Sequence, residues 1–178
     1  DLSLRIQRLY PQLKISIIDL PIFDHVSPSK TKDSTFIFVG SIIPTKGLDL
    51  LLKAILRFPK ENTPSLKIIG FSAQYPTWKN YQQHCQKLAS LSPSINWLGE
   101  KEHKECLEEM ATAKCLVIPS IWPENSPLTI REATSLGLAV ICPKWGGSSE
   151  LAPQALILLK PSIHHLYERL QMAEKRTL

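Results

Sequence analysis

The chain has 178 residues, 43% of them hydrophobic and 21% charged, which is typical of one globular domain and excludes a disordered chain. No apolar run approaches the roughly 20 residues that span a bilayer, and the opening residues, DLSLRIQRLYPQ, lack the basic start and apolar middle of a secretory signal, so we expect a cytoplasmic protein. The net charge of +5 favours an anionic partner, whether phosphates, nucleic acid or an acidic membrane surface.

The N-terminal segment is predicted to lie outside the main domain. Residues 1–14 include an amphipathic helix, LSLRIQRLYPQL, which we interpret as the end of a preceding domain or as a linker helix. Residues 17–34 are rich in Pro, Ser and Lys, as domain boundaries often are. Their basic run, SPSKTKDS, has no aromatic residue to stack on bases, so we interpret it as a solvated linker and expect no nucleic-acid contact. The main domain is predicted to cover residues 15–178.

Within that domain, short apolar runs alternate with longer segments of helical period. Strands are predicted at 36–40, 66–70, 95–99, 115–120, 138–143 and 155–159, with a further edge strand at 14–18. Helices are predicted at 48–58, 77–91, 104–113, 126–137 and 164–175. Most of the strand runs lack strict alternation, as strands buried on both faces do. The order predicts an α/β domain, a Rossmann-like parallel sheet with helices on both faces.

One βαβ unit carries two carboxylates, Glu124 and Glu132, around a predicted helix start. Ser126 suits the N-cap, Pro127 the first helical position and Gly137 the end of this helix. Such a helix start lies at the carboxyl edge of a parallel sheet and favours a phosphate. Two carboxylates beside a phosphate are best explained if each accepts hydrogen bonds from hydroxyl groups, which predicts a diphosphate with a sugar at each end. The alternative is a loop residue and a solvated helix position.

Two blocks of this sequence resemble a known family. The segment PSIWPENSPLTIREATSLGLAVICPKWGGSSEL resembles the donor-binding signature of the retaining, nucleotide-sugar-dependent glycosyltransferases of the GT-B fold, the glycosyltransferase group 1 family. The segment FIFVGSIIPTKGLDLLLKAI resembles the start of the same donor domain. The resemblance covers about residues 15 to 160 and implies that the chain is the C-terminal, donor-binding half of a GT-B enzyme.

The resemblance assigns catalytic roles to two residues and a binding role to a third. Glu124 would contact hydroxyls of the transferred sugar, and Lys46 would neutralise the diphosphate leaving group. Glu132 would accept hydrogen bonds from the ribose hydroxyls.

Further donor-binding positions follow from the same resemblance. Backbone N–H groups around Asn125, Ser126, Pro127 and Leu128 would hold the diphosphate and sugar, although Pro127 has no N–H to donate. Gly40 and Ser41 belong to the first block, and Ser41 stands where the family has a phosphate-binding Arg. Trp97, Leu98 and Gly99 would lie beside the nucleobase.

No cofactor or metal is expected, because the sequence has no Asp-x-Asp pair and no histidines at ligand spacing. The four cysteines show no paired motif and are interpreted as free thiols, and none of the histidines is assigned a role. The expected partner is a nucleotide-sugar, which is the substrate. The resemblance also implies an N-terminal acceptor-binding domain outside this chain, a C-terminal truncation and an isolated chain without activity. Association with a membrane surface stays open, as do two alternatives: a nucleotide-binding module without catalysis and a nucleotide-sugar epimerase of the same fold.

Overall fold

A computed structural model describes residues 2–16, 26–29, 31–71, 75–152 and 154–175. The described residues form a six-stranded parallel sheet in the order β3-β2-β1-β4-β5-β6. Its strands are β1 (Phe36–Val39), β2 (Leu66–Ile69), β3 (Ile95–Gly99), β4 (Cys115–Val117), β5 (Ala139–Pro143) and β6 (Leu156–Leu158). The helices are α1 (Leu2–Leu9), α2 (Leu48–Ile55), α3 (Pro76–Ala89), α4 (His103–Thr112), α5 (Leu128–Ser135), α6 (Ser148–Leu151) and α7 (Ile163–Lys175), with 3₁₀ turns at Pro44–Lys46 and Lys60–Asn62.

The sheet is covered on both faces because successive residues of a strand point to opposite sides. Phe36 and Phe38 of β1 pack with α2, α3 and α7, whereas Ile37 between them packs with α4 and α5. All three side chains are almost fully buried. This arrangement explains why the strand runs are apolar at nearly every position. The predicted fold class, a Rossmann-like parallel sheet with helices on both faces, is confirmed.

The predicted helix at 126–137 begins two residues later than expected, at Leu128. Pro127 rather than Ser126 is the N-cap, and no side chain caps this end. The extended ψ of Pro127, 112°, keeps it out of the helix, while its carbonyl accepts a hydrogen bond from the Ile130 N–H. The prediction for Gly137 is confirmed: its φ is +70°, as expected for the residue that follows a helix end.

Two other elements differ from prediction. The sequence does not predict helix α6, because four residues are too few to show a helical period. Of the predicted edge strand at 14–18, residues 14–16 are not in a strand, and residues 17 and 18 lie outside the described part of the chain.

The segment before β1 is anchored to the domain through Lys32. Its ammonium donates hydrogen bonds to the carbonyl oxygens of Ala111, 2.8 Å away, and Leu136, 2.9 Å away, at the ends of α4 and α5. A cation at helix C-termini is favourable because it meets unpaired carbonyls and the negative end of the dipole. The interpretation of this run as a solvated linker is therefore wrong at Lys32. Within the described ranges, no helix is long and apolar enough to cross a membrane.

Candidate functional site

The connections that follow β1 and β4 meet at the carboxyl edge of the sheet. The Ile121 N–H, after β4, donates to the Thr45 carbonyl, after β1, at 2.9 Å. Gly47 has a φ of +68°, and a Cβ there would overlap the carbonyl oxygen of Pro119. Only glycine lets the two backbones approach this closely. The close packing fixes the 3₁₀ turn Pro44–Lys46 against the residues that leave β4.

This packing brings together two predicted catalytic residues, Lys46 and Glu124. Lys46 Nζ lies 2.6 Å from Glu124 Oε1, and the Ser120 hydroxyl donates to the same oxygen at 2.8 Å. The side chains of Lys46 and Glu124 are 30% and 18% exposed, so both remain accessible from solvent. An ammonium has three donors, and this contact uses one of them. The arrangement places an ammonium, which can bind a phosphate, beside a carboxylate, which can accept a hydrogen bond from a hydroxyl group.

A glycine turn after β5 holds the backbone of Glu124. The Gly147 N–H donates to the Glu124 carbonyl at 2.7 Å. A Cβ at Gly146 would overlap that same carbonyl oxygen, and one at Gly147 would overlap the carbonyl oxygen of Asn125. Gly146 also has a φ of +66°, a conformation that side-chain-bearing residues rarely adopt. The position of the carboxylate therefore depends on both glycines.

The second carboxylate, Glu132 on α5, is bonded to the first residue of α4. Its Oε1 lies 2.8 Å from His103 Nε2, and its side chain is 12% exposed while that of His103 is 51% exposed. The negative charge of Glu132 affects the nearby Cys106: burial raises the pKa of the Cys106 thiol, and Glu132 raises it further. A largely buried carboxylate that retains some exposed surface can accept hydrogen bonds from hydroxyl groups.

Two buried donors near the glycine turn have no hydrogen-bond partner among the described residues. They are Trp145 Nε1 and Ser148 Oγ, and Ser148 is fully buried. Unpaired buried donors are uncommon in folded proteins and often mark the position of a water or a ligand.

Most other predicted site residues lie on the same edge of the sheet. Gly40 follows β1, where its N–H donates to the Ile69 carbonyl at 3.1 Å, and the side chain of Ser41 is exposed. The remaining ones lead into α5, and all but the half-buried Pro127 are exposed: Asn125, Ser126, Pro127 and Leu128. Their contacts to a ligand stay predictions.

The predicted base-binding segment divides between the two faces of the sheet. Trp97 packs against the cluster formed with α2, α3 and α7, and Leu98 packs against the cluster formed with α4 and α5. The side chain of Trp97 therefore lies on the face opposite to Glu132. Gly99 ends β3, and the role of the segment beside a nucleobase stays a prediction.

Sequence reasoning misses two residues of the site. Ser120 directly follows the buried run CLVIP, and a polar residue at the end of such a run is an available signal. His103 gives no comparable signal, because its partner Glu132 is 29 positions away on another helix. Among the described residues, no group of three or more His, Cys, Asp or Glu side chains could hold a metal ion. The expectation that no metal is needed stays a prediction.

Comparison with known proteins identifies a family and a human relative of this chain. Residues 21–175 match the family described as glycosyl transferases group 1. One subunit of human phosphatidylinositol N-acetylglucosaminyltransferase is 29% identical over 148 residues, which are 82% of this chain and 30% of the human protein.

Solved structures share the fold at low sequence identity. HepE of Anabaena, in complex with UDP and glucose, has a TM-score of 0.72 at 18% identity over 82% of this chain and 40% of its own. A mutant of S. aureus TarM, in complex with Fondaparinux, alpha-GlcNAc-glycerol and UDP, also has a TM-score of 0.72, at 16% identity over 97% of this chain and 35% of its own. The chain thus spans less than half of each of these proteins.

Proposed function

We propose that this chain, which belongs to the group 1 family of glycosyl transferases, is the donor-binding domain of an enzyme that transfers a sugar from a nucleotide-sugar with retention of configuration. The observation that carries the proposal is the contact of 2.6 Å between Lys46 and Glu124 at the carboxyl edge of the sheet. It joins a cation suited to a phosphate and a carboxylate suited to sugar hydroxyls. This edge is also where open α/β sheets bind ligands.

The diphosphate would lie between Lys46 and the start of α5. Lys46 keeps two donors after its contact with Glu124. The first N–H groups of α5 have no partner within the helix, and the helix dipole favours an anion at that end. As the bond to the sugar breaks, negative charge grows on the terminal phosphate, and a fixed ammonium stabilises that charge.

The two carboxylates would bind the sugars on either side of the diphosphate. Glu124 would accept from hydroxyls of the transferred sugar, with Ser120 and Lys46 fixing its orientation. Glu132 would accept from the ribose hydroxyls through Oε2, which makes no hydrogen bond within the described chain. These roles agree with the low exposure of both carboxylates, 18% and 12%.

A UDP-sugar is the donor that we propose first. HepE and TarM were both solved with UDP, and the human relative is named as an N-acetylglucosaminyltransferase. We further propose that the acceptor is bound by a second domain outside this chain, because the relatives are more than twice as long. The positive net charge would favour anionic acceptors, including those at a membrane surface.

Thermal unfolding with UDP, GDP, ADP and CMP tests the proposal directly. At about 100 times its dissociation constant, a ligand stabilises by about 2.7 kcal/mol, which raises the Tm of a chain of this size by roughly 5–10 °C. We expect the largest shift with UDP and a smaller one in Glu132→Ala. If none of the nucleotides shifts the Tm or binds by calorimetry, the proposed function is wrong for this chain.

Turnover separates the proposal from its alternatives. A longer protein that contains this domain should release UDP from a UDP-sugar when the acceptor is present. Binding without any turnover would favour a nucleotide-binding module. Conversion of the UDP-sugar without an acceptor into its epimer would favour an epimerase.

A further inference from the structure

We propose that His103 is a positioning residue for nucleotide binding: it holds Glu132 so that one carboxylate oxygen stays directed to the ribose. This inference rests on the proposed function of Glu132. It adds a residue on a different helix, α4, whose hydrogen bond to α5 has a length of 2.8 Å.

The geometry of the contact defines what His103 does. An ionised carboxylate only accepts hydrogen bonds, so His103 Nε2 carries the proton in this contact. The bond uses Oε1 of Glu132, and within the described chain no side chain or backbone group bonds to Oε2. A carboxylate held at one oxygen cannot rotate freely. Its other oxygen therefore keeps one direction, which lowers the entropy lost when a hydroxyl binds there.

The burial of the two side chains supports a role in which His103 orients Glu132. Glu132 is 12% exposed, so an ionised carboxylate there needs a donor to offset its desolvation. His103 is 51% exposed, so it can supply that donor and remain at the rim of the site.

The start of α4 has a cap in which the imidazole takes no part. Glu102 and Glu105 form a capping box, in which the Glu102 side chain accepts from the N3 backbone N–H and the Glu105 side chain accepts from the backbone N–H of Glu102. Loss of the His103 side chain should therefore leave the helix in place and free the Glu132 carboxylate.

The test compares UDP with 2′,3′-dideoxy-UDP, which lacks the ribose hydroxyls, by titration calorimetry on this chain. His103→Ala should weaken UDP binding about fivefold to tenfold, the size of one hydrogen bond. His103→Gln keeps an N–H donor and should recover affinity to within about twofold. Dideoxy-UDP should bind to wild type and to His103→Ala equally well. Likewise, UDP should bind equally well to Glu132→Ala and to the double variant that also carries His103→Ala. Lys104→Ala, which shortens the next exposed side chain of α4, is the matched control and should bind UDP normally.

The possible results lead to separate conclusions. If His103→Ala binds UDP as wild type does, or weakens UDP and dideoxy-UDP equally, the inference is wrong while the proposed function stands. An effect of His103→Ala that persists without Glu132 would also overturn it. If the wild-type chain binds no nucleoside diphosphate, the proposed function fails and this inference fails with it.

Discussion

Lys46 Nζ and Glu124 Oε1 lie 2.6 Å apart although 78 positions separate them in the chain. The charge of each side chain partially neutralises that of the other, and both side chains are partly exposed to solvent. Under the proposed function, a diphosphate would have donors left on Lys46 but would compete with Glu124 for its positive charge, whereas a sugar hydroxyl at Glu124 would not. Substitutions of the two residues should therefore have opposite effects on the binding of a nucleoside diphosphate.

Substitution of Lys46 and substitution of Glu124 should change the affinity for UDP in opposite directions. Lys46→Ala should weaken UDP binding roughly tenfold to a hundredfold, because a hydrogen bond to a charged group is worth about 1.5–3 kcal/mol. Glu124→Gln should strengthen UDP binding about threefold to tenfold, since it removes the competing negative charge. Titration calorimetry measures both effects.

The control for this experiment is a second lysine–carboxylate pair. Lys53 lies 2.8 Å from Asp49 on α2, and Lys53→Ala should leave UDP binding unchanged. Equal loss of affinity in Lys46→Ala and Glu124→Gln would contradict competition between the diphosphate and Glu124.

The glycine turn after β5 should be intolerant of any side chain. In Gly146→Ala, the new Cβ would overlap the Glu124 carbonyl, so the loop that carries Glu124 must move. Gly137 has nearly the same φ, +70° against +66°, but a Cβ there meets nothing within 4 Å. Gly137→Ala should cost only the backbone strain, about 1 kcal/mol, whereas Gly146→Ala should cost more stability and also weaken UDP binding. Urea unfolding and calorimetry on both variants measure the difference, and equal results would contradict a role for close approach.

The strands were predictable from the sequence and the contacts of the site were not. Residues 36–40 could be recognised as a strand because both faces of the sheet bury apolar side chains there. The sequence places Pro127 one position too far into its helix, because proline is common at the first helical position, whereas its extended ψ of 112° here makes it the N-cap. The contact of Lys46 with Glu124 depends on two loops packing at Gly47, which no local period encodes.

The two signature blocks predict which residues bind the donor, and the structure adds groups that contact two of them. Ser120 contacts Glu124, and His103 contacts Glu132. The contact of His103 spans 29 positions between two helices, so it could not be derived from spacing along the chain, whereas Ser120 lies four positions from Glu124 at the end of a buried run.

Cys106 should report on the charge of Glu132. Burial raises the pKa of its thiol, and the negative charge of Glu132 raises it further. Glu132→Gln removes that charge, so the pKa should fall and the fraction of reactive thiolate at pH 8 should rise. Alkylation by iodoacetamide, followed by mass spectrometry of the Cys106 peptide, should therefore be faster in Glu132→Gln than in wild type.

The other three cysteines are internal controls for that measurement. Burial raises the pKa of Cys85, Cys115 and Cys142 to about 12. Their alkylation should be slow and equal in both proteins. If all four cysteines react faster in Glu132→Gln, the substitution has loosened the fold, and the charge explanation is contradicted.

The contact between α2 and α3 should make stability depend on pH through Asp49. Burial alone would raise the pKa of its carboxyl, but hydrogen bonds from Lys53 and Tyr81 outweigh burial and hold that pKa below its usual value. The Tyr81 hydroxyl donates to Asp49 Oδ1 at 2.8 Å and accepts from the Asp49 N–H at 3.1 Å. Because the folded-state pKa is the lower one, the ionised carboxylate stabilises the fold above its unfolded-state pKa of about 3.9.

That contribution should disappear as the pH falls through the folded-state pKa of Asp49. At pH 7, Tyr81→Phe should lower the free energy of unfolding by about 1 kcal/mol, the net value of a hydrogen bond. Asp49→Asn should destabilise at pH 7 by a similar amount of about 1 kcal/mol and progressively less below about pH 4, since protonation removes the charge from wild type as well. Urea unfolding between pH 3 and pH 7 measures both curves. A constant difference between wild type and Asp49→Asn over that range would contradict the ionic part of the contact, because an uncharged hydrogen bond has no reason to follow the titration of a carboxyl group.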